Sequence, residues 1–180
     1  MRLRWLLVLV PCILVGVAVM MMGPWFDVVE AFKPGQPFEM KPAQSSEAAS
    51  RALGGLSEAA RGQYRSAQMW DAPFALANAA ALLVLLMVPA RLIWRRSKLV
   101  WIFALMPMAV VVGEAMENLG ILSMLSSFEA SGEADPALAT LGTGLKFMGF
   151  MPAMACVVVL WVVAVIACVR RGAKGKRADA

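Results

Sequence analysis

The chain has 180 residues, with 17 Lys and Arg against 12 Asp and Glu, and no histidine. Hydrophobic residues make up 61% of it, and the mean hydropathy is +0.71. Soluble domains average about 45–50% apolar residues, so an ordinary water-soluble domain is excluded. Without histidine, the commonest zinc ligand and the usual switch near neutral pH are both missing. No metal centre and no cofactor are expected.

The apolar residues fall in four blocks, at about 5–22, 72–93, 99–125 and 138–169. Each supplies about 20 residues, the length that crosses roughly 30 Å of hydrocarbon. A backbone in lipid must satisfy its own hydrogen bonds, which selects helices. The expected fold is all-α. It is an integral membrane four-helix bundle, one membrane domain over 1–180, with an extracytoplasmic helical segment between spans one and two.

Span one, 5–22, opens with Arg2 and Arg4 and carries Pro11 as a kink site. Its end, Val19-Met20-Met21-Met22-Gly23, offers no Ala-x-Ala cleavage site, so it reads as a retained signal anchor. The outward segment, 24–70, begins with Trp25 and Phe26 at interface level. Pro34, Gly35, Pro37 and Pro42 then mark an extended loop. From Ser45 on, Ala49, Ala52, Leu53, Leu56, Ala60, Tyr64 and Ala67 recur at helical steps. Gly54-Gly55 should break this helix, and Ser57 should cap its second part, with Glu58 in the first turn. The helix is expected over the bundle or on the outer membrane surface, or else as a solvated spacer. Arg61 and Tyr64 are within reach of the headgroups or the polar cluster, with surface solvation as their expected role.

Span two, 72–93, opens at Asp71 and Pro73 and ends at Trp94, Arg95 and Arg96. Span three, 99–125, has Pro107 as a kink site. Span four, 138–169, has Pro152, and the tail 170–180 reads as disordered. Cys12, Cys156 and Cys168 all fall inside spans, so no disulfide framework is expected. Met148, Met151 and Met154 read as flexible packing on one helix face rather than as copper ligands.

The +5 net charge might point to nucleic acid, but its distribution argues for a membrane. Arg2 and Arg4 precede span one. Arg91, Arg95, Arg96 and Lys98 separate spans two and three, and Arg170, Arg171, Lys174, Lys176 and Arg177 follow span four. The loop 126–136 holds Glu129, Glu133 and Asp135 and no base. This positive-inside pattern places both termini in the cytoplasm, as expected of a multi-pass plasma (inner) membrane protein. The expected partners are the lipid bilayer and, beyond it, a second copy or another membrane protein.

Against this apolar background stand a few polar residues. Glu114, Glu117 and Asn118 take positions i, i+3 and i+4, one side of a helix. Asp71 and Asn78 share a face of span two, and Thr143 and Lys146 share a face of span four. Counted along each helix, all of them lie in the outer third of the bundle. Gly113, Gly120, Gly142, Gly144 and Gly149 would let helices approach closely. Asp71, Asn78, Glu114, Glu117, Asn118, Thr143 and Lys146 are therefore expected to form one polar cluster. One lysine neutralises one acid. Either another acid keeps its proton, Asp71 points to water, or a cation enters.

Arg61-x-x-Tyr64, Asp71-x-x-Phe74, Glu114-x-x-Glu117-Asn118 and Thr143-x-x-Lys146 follow in that order. The set resembles a class of small bacterial four-span membrane proteins over roughly 57–169. In that class an acid opens span two, an acid-x-x-Glu-Asn sits in span three, and a Thr-x-x-Lys sits in span four. Pro73 departs from the pattern by preceding Phe74. The resemblance implies that the four motifs belong to one site, and carries no activity with it.

Three functions fit. The first is a structural membrane protein or assembly partner, held by a Glu–Lys lock with amide and hydroxyl bonds around it. The second is an enzyme on a lipid or lipophilic substrate, with Glu117 or Glu114 as acid/base, Asp71 as a second carboxylate and Lys146 as an anion contact. The third is a proton- or cation-linked conduit.

Overall fold

The computed structural model describes residues 26–33, 37–38, 42–43, 45–94 and 97–178. The first span at 5–22 lies outside them. Every element of the described residues is helical. After a helical stretch at 26–31 come α1 (Ser46–Gly54), α2 (Glu58–Ile93), a 3-10 helix (Lys98–Ala104), α3 (Leu105–Ser131) and α4 (Ala137–Ala178).

Local chemistry sets the boundaries. Ser45 caps α1 by accepting from Ala48 N at 3.2 Å, and Ser57 caps α2 by accepting from Ala60 N at 3.2 Å. The break falls at Gly54-Gly55, as the sequence indicates. Past it, α2 runs unbroken for 36 residues with Pro73 and Pro89 inside it, so span two begins mid-helix.

Span three departs from its expected form. Its first residues are 3-10, and Pro107 lies in the first turn of α3 rather than at a kink. Proline is tolerated in the first turn of an α-helix, where its fixed φ fits. At its other end α3 continues to Ser131, past the expected limit at 125. It stops where Gly132 adopts φ 77°, a left-handed conformation that suits glycine, and donates to Phe128 O at 2.8 Å. The acidic loop is therefore shorter than expected, at 132–136. The basic tail departs too, because α4 remains helical through Ala178.

Among the described residues, three helices are long and apolar enough to cross a membrane: Glu58–Ile93, Lys98–Ser131 (the 3-10 helix and α3 together) and Ala137–Ala167 within α4. Their outer faces display Leu76, Leu105, Met108, Leu119, Leu141, Met148 and Val158. So much contiguous apolar surface suits lipid and would be an aggregation liability in water. The Met148, Met151 and Met154 stripe lies on this outer face, not in packing.

Inside, α2 turns Tyr64, Gln68, Asp71, Ala75, Ala79, Leu82 and Leu86 inward at three- and four-residue steps. Two apolar cores result. One packs Leu53, Tyr64, Ile121, Met124 and Leu125 with Phe32 and Phe38. The other packs Leu82, Leu86, Val110, Ala153 and Leu160. Helix α1 thus packs over α2 and α3: Leu53 and Ala49 of α1 are fully buried, and Tyr64, expected in solvent, is core. Phe32, Phe38 and Tyr64 meet edge to face or tilted, with centroids 5.1 to 6.2 Å apart.

Candidate functional site

Between the two cores lies a polar layer. It forms where α3 and α4, antiparallel, touch backbone to backbone. A Cβ on Gly142 would come within 2.7 Å of the Gly113 carbonyl oxygen. One on Gly149 would meet the Met106 carbonyl oxygen at 2.7 Å, and one on Gly120 would meet Ala139 Cα at 2.7 Å. Real Cβ atoms do not approach so closely. These glycines are what let the polar side chains beside them reach across.

At the centre is Glu117, 1% exposed. Thr143 donates its hydroxyl to Glu117 Oε1, and Lys146 donates from Nζ to Oε2, so each carboxylate oxygen has its own partner. Lys146 Nζ also donates to Glu114 Oε2 at 3.3 Å. Glu114 and Lys146 are mostly buried, with side chains 13% and 17% exposed. A small void beside Glu117 and Thr143, roofed by Phe38 and Pro42, has no room for a water molecule.

On the α2 side, Asn118 Nδ2 donates to Asp71 Oδ2 at 3.0 Å. Both residues are buried. Lys146, Glu114 and Glu117 lie within Coulombic reach of Asp71, which ties the two halves of the layer together.

Six of the seven residues expected in the cluster are thus brought together. Asn78 is not: it is half-buried and makes no hydrogen bond among the described residues. The reason is depth. Asn118 meets Asp71, and Asn78 lies seven residues, roughly 10 Å, further along α2. Glu114 is only four residues, roughly 6 Å, back along α3 from Asn118. Asn78 therefore sits below the layer.

Two contacts escape a sequence reading. Gln68 is 1% exposed, directly above Asp71 on the inward stripe of α2. The spacing of 64, 68, 71 and 75 is its signal. Arg61, expected in solvent, donates to Leu53 O at 3.2 Å and Leu56 O at 2.6 Å, and lies 5.4 Å from the centre of the Phe128 ring.

Among the described residues no group of three or more Cys, Asp or Glu side chains converges as a metal would need. A groove of about 730 Å³ runs along Met116, Thr140, Leu141, Leu145 and Met148 and is lined by none of Asp71, Glu114, Glu117 or Lys146. In chemical terms the layer is a hydrogen-bonded ion cluster with three acids and one base. Comparison with protein families, with curated proteins and with solved structures finds no match.

Proposed function

We propose that this chain is a four-span protein of a bacterial plasma membrane and serves as a structural component or assembly partner there. Both termini lie in the cytoplasm, and the segment 24–70 lies outside. The distribution of charge supports the orientation: the loop at 132–136 carries Glu133 and Asp135 and no base, whereas Arg91 and Lys98 flank the turn between α2 and α3. The observation that carries the functional reading is the saturation of Glu117. Each of its carboxylate oxygens accepts from a side chain of α4, the residue is 1% exposed, and the void beside it has no room for a water molecule. An acid/base catalyst must present an oxygen to its substrate. Glu117 presents none, so the pair acts as a clamp between α3 and α4.

The test is a double-mutant cycle on thermal unfolding of the full chain in detergent or nanodiscs. Glu117→Gln leaves Lys146 without its closest counter-charge, and breaking a buried pair from one side costs about 3–5 kcal/mol. Adding Lys146→Met removes the stranded charge and should restore part of the loss. Glu114, still without a base, prevents full recovery. A Glu117→Gln protein as stable as the parent, or one that Lys146→Met only weakens further, would sink the clamp.

A further inference from the structure

The contact between Asp71 and Asn118 is half-satisfied. Asn118 Nδ2 has its acceptor in Asp71 Oδ2 at 3.0 Å. Oδ1 of the same amide is buried and has no donor. Asn118 is 7% exposed and Asp71 8%, and bulk water does not reach the Asn118 oxygen. A primary amide presents a donor and an acceptor side by side. A carboxylate offers acceptors alone, and matches only half of it. A carboxylic acid offers one acceptor and one donor, and matches all of it.

The surrounding charges favour the neutral form by count. Facing Asp71 from α3 are Glu114 and Glu117, and from α4 there is Lys146. Lys146 already donates to both glutamates. On α2 itself the neighbours along the inward stripe, Gln68 and Ala75, carry no charge, and Arg65 is bound to Glu129 at 2.8 Å. Phe38 and Pro42, which cover the layer from the outward segment, carry none either. Among the described residues, Asp71 is the acid for which the layer has no cation.

We propose that Asp71 is a proton-binding site. Its O–H donates to Asn118 Oδ1 while its other oxygen accepts from Asn118 Nδ2, closing a neutral acid–amide ring between α2 and α3. The ring is a joint that the proton holds shut. Glycine contacts weld α3 to α4, whereas α2 is tied to them by Tyr64 packing and the Arg65–Glu129 pair at its outer end, by the ring at this depth and, further along, by Trp161 Nε1 donating to Leu85 O at 3.1 Å. When the proton leaves, Asn118 Oδ1 faces an anion, and three acids share one base. Pro73, two residues on, supplies no N–H to the α2 ladder, so the outer half of α2 is the part released. Asp71 and Asn118 make none of the bonds of the Glu117 clamp, so the inference stands or falls separately from it.

Asp71→Asn tests this directly. Asn at this position donates and accepts as the acid does, with no proton to lose. The full-length protein in nanodiscs should show an infrared C=O band of a neutral carboxyl that D71N lacks and E114Q retains. D71N should unfold at the parent's midpoint, and Asp71→Ala well below it. Raising the pH should speed amide hydrogen exchange over residues 58–73 in the parent and leave D71N unchanged. The proposal is overturned if the band survives in D71N, or if D71N is markedly less stable than the parent or fails to fold. Either of the last two results would mean that the aspartate charge itself is what the site holds.

Discussion

Two arginines four residues apart show how little a residue's type says about its worth. Arg65 pairs with Glu129 on the surface, both side chains 37% exposed. Exposed pairs contribute about 0–1 kcal/mol. Arg61 instead delivers its guanidinium to two carbonyls at the end of α1 and beyond, Leu53 O and Leu56 O, and rests on Phe128. Removing a donor from part-buried acceptors costs about 1–3 kcal/mol each. Arg61→Met should therefore lower the unfolding midpoint clearly, while Arg65→Met moves it little; equal effects in the two variants would refute the assignment. The sequence reading put Arg61 in solvent because a carbonyl is invisible in a sequence. That the chain folds back at Gly54-Gly55 is legible, but which side chain meets the freed carbonyls is not.

Among the elements, the close contact of α3 and α4 was the most legible. Glycines at 113, 120, 142 and 149 lie beside polar residues in apolar helices, and only close approach gives them a purpose there. Gly144 was read the same way, yet a Cβ there would meet nothing within 4 Å. The two positions separate packing from propensity. Gly142→Val must push the helices apart, at about 1–3 kcal/mol or more for overpacking. Gly144→Ala should be neutral or stabilising by up to about 1 kcal/mol, since alanine is the better helix former. Unfolding midpoints of the two variants in one detergent decide it, and a harmless Gly142→Val would refute the backbone contact. Less legible was the 3-10 start of span three. Hydropathy is blind to how a helix is wound, and Pro107 was read as a kink for want of knowing where the α-helix begins.

For the molecule as a whole, three of the four expected spans are seen as long apolar helices, and the remaining one, span one, lies outside the described residues. Orientation follows from charge and can be checked from outside. Glu133→Cys, at the tip between α3 and α4, should react with a membrane-impermeant maleimide in intact cells, and Ser97→Cys only after permeabilisation, each read against the parent's own cysteines. The reverse pattern would invert the proposed topology. The polar layer was legible as to its residues because charges in an apolar run stand out. Its depth was less so. Counting along helices placed Asn78 level with Glu114, but relative helix heights are set by packing, and the Asp71–Asn118 contact leaves Asn78 too deep.

The short connection at 132–136 also bears on how the protein is made. Glu117 is synthesised 29 residues ahead of Lys146, and Glu114 32 residues ahead. Meeting the bilayer alone, α3 would bring two acids with no counter-charge, and uncompensated acids in a span are unfavourable. The left-handed turn at Gly132 lets α4 double back as soon as it emerges. The two helices are thus expected to enter lipid as one hairpin, the acids of the first meeting their counter-charge only when the lysine of the second arrives.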